Sequence, residues 1–263
     1  PSLIDRSFNL LAYNTPPGYM SPPLNFGSSE IETRTGSKDG SIVITGIHPT
    51  DIESTQTPNL MVWQPYSKEP AHAIHITPGR FRNGNDIAIS PDGKTAALAV
   101  DGLFTVNLQD GSTRKLADAI TLQTVTYSSD GKKLLTATGQ NQGNVAQIWD
   151  AKTGSLIKSY ETKAWFPRWS PDETKILFPA HRRGKSAIVD IKTDELTIFS
   201  HKDNPGISMY GTFDRTGERF LSITYDRKFN VWDIASGDLQ YSLQHGSGKG
   251  GWFRRLCWNL YAR

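Results

Sequence analysis

With 263 residues, 37% of them hydrophobic and 21% charged, the chain has enough apolar material for a globular core, arranged as one large β domain or two smaller ones. A net charge of +3 falls short of the clustered basicity of a dedicated nucleic-acid binder. The single cysteine, Cys257, excludes an internal disulfide framework, and no apolar run approaches the roughly eighteen residues of a membrane-spanning helix.

The chain begins at Pro1 rather than Met, which allows for a removed leader; cytoplasmic and periplasmic placement both stay open. The first predicted element is a strand at 8–13. From Gly36 onward a short turn motif recurs. It reads Gly36-Ser37-Lys38-Asp39-Gly40, then Ile89-Ser90-Pro91-Asp92-Gly93, then Tyr127-Ser128-Ser129-Asp130-Gly131. Two looser copies follow, Trp169-Ser170-Pro171-Asp172-Glu173 and Phe213-Asp214-Arg215-Thr216-Gly217. Asp accepts local backbone hydrogen bonds and Gly takes positive φ at little steric cost, so each copy predicts a hairpin. The runs beside them, such as 132–138 and 220–225, are rich in Leu, Thr and other strand formers.

Each turn motif is followed by an alternating strand that ends in Trp-Asp or a relative of it. Its third residue is Trp63, Val106, Trp149, Val189 and Trp232 in turn, spaced by 43, 43, 40 and 43 residues. A second turn comes next, at Asp110-Gly111, Thr153-Gly154 and Ser236-Gly237, and then a fourth strand, as at 156–160 and 239–243. No stretch has helical periodicity over three turns.

Four short antiparallel strands in a repeat of this length predict an all-β fold, a β-propeller of four-stranded blades. Stacking the sheets about one axis buries faces that a single sheet cannot hide. Small residues near the axis suit the taper, a role that fits Ala96, Ala97 and Ala99. The repeats fall at about 27–80, 81–119, 120–162, 163–201 and 202–246. A composite blade made from 247–263, including a strand at 254–258, and from 1–26 would close the ring. The expectation is one domain over 1–263 with six blades; seven would require an irregular N-terminal blade.

The stretch 220–238, FLSITYDRKFNVWDIASGD, resembles a WD repeat, and 166–190 is similar to TolB-type propellers. The WD-repeat resemblance implies a hydrogen-bond network in which Asp226 joins Trp232, a Ser/Thr (Thr224) and a His from the preceding loop (His201). The Gly-His pair usual in that family is absent from every blade.

Two groups of residues are candidates for binding. The first is the basic loop His181-Arg182-Arg183-Gly184-Lys185, suited to an acidic partner or a phosphate; charge runs usually keep loops soluble, so a solvated hairpin tip is the favoured role. The second comprises Trp165, Phe166, Tyr210 and Trp252, with Arg82 and Arg254, all at or just before a first strand. The resemblance implies that such inter-blade loops approach one face where partners dock, and aromatics and Arg dominate binding hot spots. Packing between blades is the competing role for these aromatics. Trp63, Trp149 and Trp232 occupy equivalent repeat positions and are expected to be structural.

Catalytic constellations are missing from the sequence. There is no G-x-S-x-G, and 246–251 lacks the order of a phosphate loop. His72 and His75 would point to opposite faces of a strand, which suits metal binding poorly. The expectation is a non-catalytic protein–protein interaction scaffold that binds another protein, with no cofactor, no metal and no nucleic acid. The alternative is a propeller enzyme or a small-ligand or metal binder acting at the central channel, a reading that rests on fold analogy.

Overall fold

The computed structural model describes residues 30–37, 39–48, 59–64, 67, 69–76, 87–100, 102–118, 122–138, 145–162, 166–182, 185–200, 208–224, 226 and 228–244. Among these residues every regular element is a β-strand. Five four-stranded sheets form, each antiparallel and each in chain order. Sheet 1 holds β1 (Glu30–Gly36), β2 (Val43–His48), β3 (Leu60–Trp63) and β4 (His72–Ile74). Sheet 2 holds β5 (Ile87–Ile89), β6 (Thr95–Ala99), β7 (Leu103–Asn107) and β8 (Thr113–Ala117). Sheet 3 holds β9 (Leu122–Tyr127), β10 (Lys133–Thr138), β11 (Val145–Asp150) and β12 (Leu156–Glu161). Sheet 4 holds β13 (Arg168–Trp169), β14 (Lys175–Arg182), β15 (Lys185–Asp190) and β16 (Leu196–Ser200). Sheet 5 holds β17 (Ser208–Phe213), β18 (Arg219–Thr224), β19 (Lys228–Asp233) and β20 (Leu239–Gln244). Each sheet lies inside one predicted repeat. The strands expected at 8–13 and 254–258, and with them the composite blade, lie outside the described residues.

The recurring turn motif explains why each sheet starts as it does. In four copies the Ser hydroxyl donates to the Asp two residues on, at 2.6 Å for Ser37–Asp39, Ser90–Asp92 and Ser170–Asp172 and 2.7 Å for Ser128–Asp130. The same Ser oxygen accepts the N–H that opens the next strand, from Ile42, Thr95, Lys133 and Lys175. The fifth copy exchanges the roles. Asp214 sits in the Ser position and accepts the Arg219 N–H at 3.2 Å and the Thr216 hydroxyl at 3.1 Å.

The second turn is closed by the Asp of the Trp-Asp pair. Asp150, Asp190 and Asp233 accept the N–H of Thr153, Thr193 and Ser236 at 2.7, 3.0 and 2.8 Å. The first turn places one residue in the left-handed region in all five sheets, and the second turn does so in sheets 2 to 5. Sheet 4 alone uses non-glycine residues there, Glu173 (φ 57°) and Asp194 (φ 61°).

The chain divides into two compact units, Pro1–Ala119 and Ile120–Arg263. In the first unit, sheets 1 and 2 pack through Ile44, Leu60 and Val62 against Leu98, Phe104 and Val106. In the second, Leu135 and Ile148 of sheet 3 pack on Ile176, Phe178 and Val189 of sheet 4. The opposite face of sheet 4, with Leu177, Ile188 and Phe199, meets Phe220 and Trp232 of sheet 5. Sheet 4 is thus buried on both faces. This is why β14 begins as an unbroken apolar run, Ile176-Leu177-Phe178, rather than an alternating one.

Two glycines should respond to the same substitution for different reasons. Gly93 has φ +69° and open space around a Cβ, so Gly93→Ala should cost about 1 kcal/mol from backbone conformation alone. Gly211 lies where β17 crosses close to β14. A Cβ there would meet the Leu221 carbonyl oxygen at 2.9 Å and Leu177 Cδ2 and Pro179 Cγ at 3.1 Å. Gly211→Ala should therefore cost about 1–3 kcal/mol through overpacking. Urea unfolding of both variants checks this: loss at Gly93 with none at Gly211 would contradict the packing described.

Candidate interaction surface

An antiparallel four-strand meander sorts its loops by end. The turns between strands one and two and between strands three and four leave from one end of the sheet, the turn end. The middle hairpin, and the segments that join successive sheets, leave from the other, the connector end. This follows from the order of the strands in every sheet.

The turn end of each sheet carries one or two aspartates held below their ordinary value of 3.8. Asp39 and Asp172 are lowered to about 2, first by the Ser37 and Ser170 hydroxyls. The Ser90 and Ser128 hydroxyls lower Asp92 and Asp130 in the same way. Asp150, Asp190 and Asp233 are lowered chiefly by the backbone N–H groups of Thr153, Thr193 and Ser236. Each of these carboxylates is engaged in folding a turn, which leaves it poorly placed to act as an acid or base at neutral pH.

The repeated tryptophans sit inside the sheets. Trp63, Trp149 and Trp232 are all buried. Each donates its indole N–H to a hydroxyl on the neighbouring strand: Thr45 at 3.1 Å, Thr136 at 2.9 Å and Ser222 at 3.0 Å. The register makes the hydroxyl a diagonal neighbour in each sheet, since Trp149 lies opposite Leu134 while Thr136 lies opposite Gln147. Sheets 2 and 4 carry Val106 and Val189 at the Trp position. There the hydroxyl position holds Leu98 and Phe178. A buried N–H requires a partner, so donor and acceptor come and go together.

Asp226 also has a defined place. It accepts the Thr224 hydroxyl at 2.5 Å and lies 3.7 Å from Lys228 Nζ. The Trp232 indole N–H is bonded to Ser222. His201, the expected histidine of the network, lies outside the described residues.

Among the aromatic candidates, Phe166 and Tyr210 come together. Their rings stack with centroids 4.9 Å apart and an interplanar angle of 20°. Both are half-buried. Phe166 precedes β13 and Tyr210 is in β17, which runs from the connector end to the turn end, so the pair belongs to the connector end of sheets 4 and 5. Arg182 ends β14 and lies directly opposite Lys185, the first residue of β15. Arg82, Trp165, Arg183, Trp252 and Arg254 lie outside the described residues.

His181 departs from the sequence expectation. The sequence places it in the basic loop, yet it belongs to β14, is buried, and its Nδ1 lies 3.0 Å from the Thr162 hydroxyl. The Thr162 hydroxyl, itself buried, and the imidazole satisfy one another away from water.

Sequence reasoning also missed two clamps between sheets 3 and 4. The Ser129 N–H donates to the Glu173 carboxylate. Lys158 Nζ pairs with Asp194 at 2.5 Å and donates to the Ile191 carbonyl at 2.6 Å. The signal was present: Glu173 and Asp194 are the two turn positions where Gly is replaced.

Among the described residues no group of three His, Cys, Asp or Glu side chains could hold a metal ion, and no helix is long and apolar enough to cross a membrane. The chain matches no family model and no curated protein.

Proposed function

We propose that this chain is a propeller-type interaction scaffold without catalytic activity, which binds a partner protein through the connector end of its sheets. The reading takes the five sheets as blades of a six-bladed ring, with 247–263 and 1–26 forming the sixth. The observation that carries it is the half-buried Phe166–Tyr210 stack at the connector end, set against a turn end whose aspartates are engaged in folding. Stacked aromatics present a large rigid area at low entropic cost, which is what a binding hot spot requires.

Affinity capture with chemical cross-linking from source extract tests the proposal. Wild-type protein should retain a stable partner, cross-linked near the connector end. A Phe166→Ala, Tyr210→Ala double variant that stays folded should weaken capture by about tenfold or more, the scale of a hot-spot loss. Recovery of no partner, or unchanged capture by the double variant, would count against the reading.

A further inference from the structure

The last strand of each sheet is an edge, paired with one neighbour among the described strands. An exposed edge offers a row of backbone N–H and C=O groups to another chain, and proteins ordinarily guard it with charge or by keeping it short. β4 is only three residues long. β8 carries Arg114 and Lys115, and β12 carries Lys158 and Glu161. β16 has no charge, but its apolar Leu196 and Ile198 lie opposite Val189 and Ala187, on the face packed against sheet 3. β20 has none of these guards. Its six residues, Leu-Gln-Tyr-Ser-Leu-Gln, include no charge, Gly or Pro, and all six are exposed. Uncharged windows of that length are the ones prone to pair with a further strand.

The register fixes which residues such a strand would meet. Tyr241 and Leu243 lie opposite Val231 and Phe229 of β19, which lie opposite Leu221 and Ile223 of β18. These side chains share one face, the reverse of the face that Phe220 and Trp232 turn to sheet 4. Tyr241 and Leu243 are 61% and 66% exposed, so this apolar face runs out to an uncovered edge. The register slip in the hairpin falls between Val231 and Trp232, which leaves 241–244 in regular pairing.

We infer that β20 pairs antiparallel with β20 of a second copy of this chain, about a two-fold axis at Ser242. The strand matches itself in that register. Tyr241 of each copy meets Leu243 of the other, Ser242 meets Ser242, and Gln240 meets Gln244. Directly opposed side chains of this kind are the unit that stabilises a strand pair. The apolar row Ile223, Phe229, Leu243 then continues into Tyr241, Val231 and Leu221 of the second copy. Charges at the strand ends permit the pairing. Asp238 precedes β20, and Asp233 lies near it with Arg219 opposite. At the far end Lys228 lies opposite Gln244 and 3.7 Å from Asp226. Antiparallel pairing brings the start of one strand to the end of the other, so the acidic starts do not face each other. A two-fold contact consumes this edge in both copies and closes as a dimer. One strand per copy buries less than a standard interface, which makes the dimer reversible. β20 is the opposite edge of sheet 5 from β17 and Tyr210, so the inference stands apart from the scaffold reading.

Sedimentation velocity on the full chain tests the inference. Between about 1 and about 200 μM, wild type should pass from monomer toward dimer. Tyr241→Lys with Leu243→Lys sets like charges opposite one another and should weaken the dimer about tenfold or more. Tyr241→Thr, which keeps a strand former at the edge, should weaken it in the same direction. Ile157→Lys, at an exposed apolar position on β12, should leave it within about twofold. In a Cys257→Ser background, Ser242→Cys should give covalent dimers on oxidation by copper phenanthroline, and Gln240→Cys should not, because only residue 242 meets itself. Monomer throughout, growth beyond the dimer, association unchanged by the lysine pair, equal weakening by Ile157→Lys, or faster cross-linking at 240 than at 242 would each overturn the inference.

Discussion

Trp149→Ala should destabilise the second unit by about 3–5 kcal/mol, the usual loss for removing a buried aromatic. Thr136→Val should cost about 1–3 kcal/mol, because it strands the indole N–H bonded to Thr136 at 2.9 Å inside the core. Both positions are buried, Thr136 at 0% and Trp149 at 7% exposure, so water cannot replace the lost bond. The two effects should not add, since the residues share one interaction. The protein supplies its own control in sheet 4, where Val189 and Phe178 stand at the matching positions. The double variant Trp149→Val, Thr136→Phe should therefore be more stable than the sum of its single variants implies. Urea unfolding of the four-member cycle measures the coupling. Strict additivity would mean that the recurring pair is a coincidence of packing.

Acidification should unfold the protein as pH falls from about 4 toward about 2. Asp39 and Asp172 lie at about 2 in the folded chain against an ordinary value of 3.8. A depressed folded pKa means that the ionised form is favoured by folding. The stability it contributes is complete above the unfolded value and is lost as pH drops through the folded one. The turn aspartates of the other repeats are lowered in the same direction, so their losses coincide in one window. Circular dichroism across that range should show the transition. Asp172→Asn should be less stable than wild type at neutral pH, and the gap should close on acidification. A gap that stays constant would show that Asp172 does not act through its charge.

The interaction surface carries a different kind of evidence from the core. Turn aspartates and repeat tryptophans have complete hydrogen-bond explanations, which leaves little about them for function to explain. The half-buried Phe166–Tyr210 stack lies outside this repeated turn and tryptophan chemistry. Residues whose placement costs stability, or leaves apolar area half-exposed, are where binding is expected.

Sequence alone determined the repeat, the four strands in each unit and the turns that divide them. All of these are local: Ser, Asp and Gly within six residues make the hairpin, and alternation or its absence marks how a strand is buried. The tryptophans were legible as structural because their spacing repeats. What only the tertiary structure decided depends on neighbours distant in the chain. His181 is buried in β14 against the Thr162 hydroxyl, although it is followed in sequence by Arg182 and Arg183. Glu173 and Asp194 tolerate left-handed backbone while their carboxylates clamp sheet 3, and Phe166 meets Tyr210 across 44 positions of sequence. Local chemistry writes the sheets; the contacts between sheets arise from packing, which no spacing along the chain encodes.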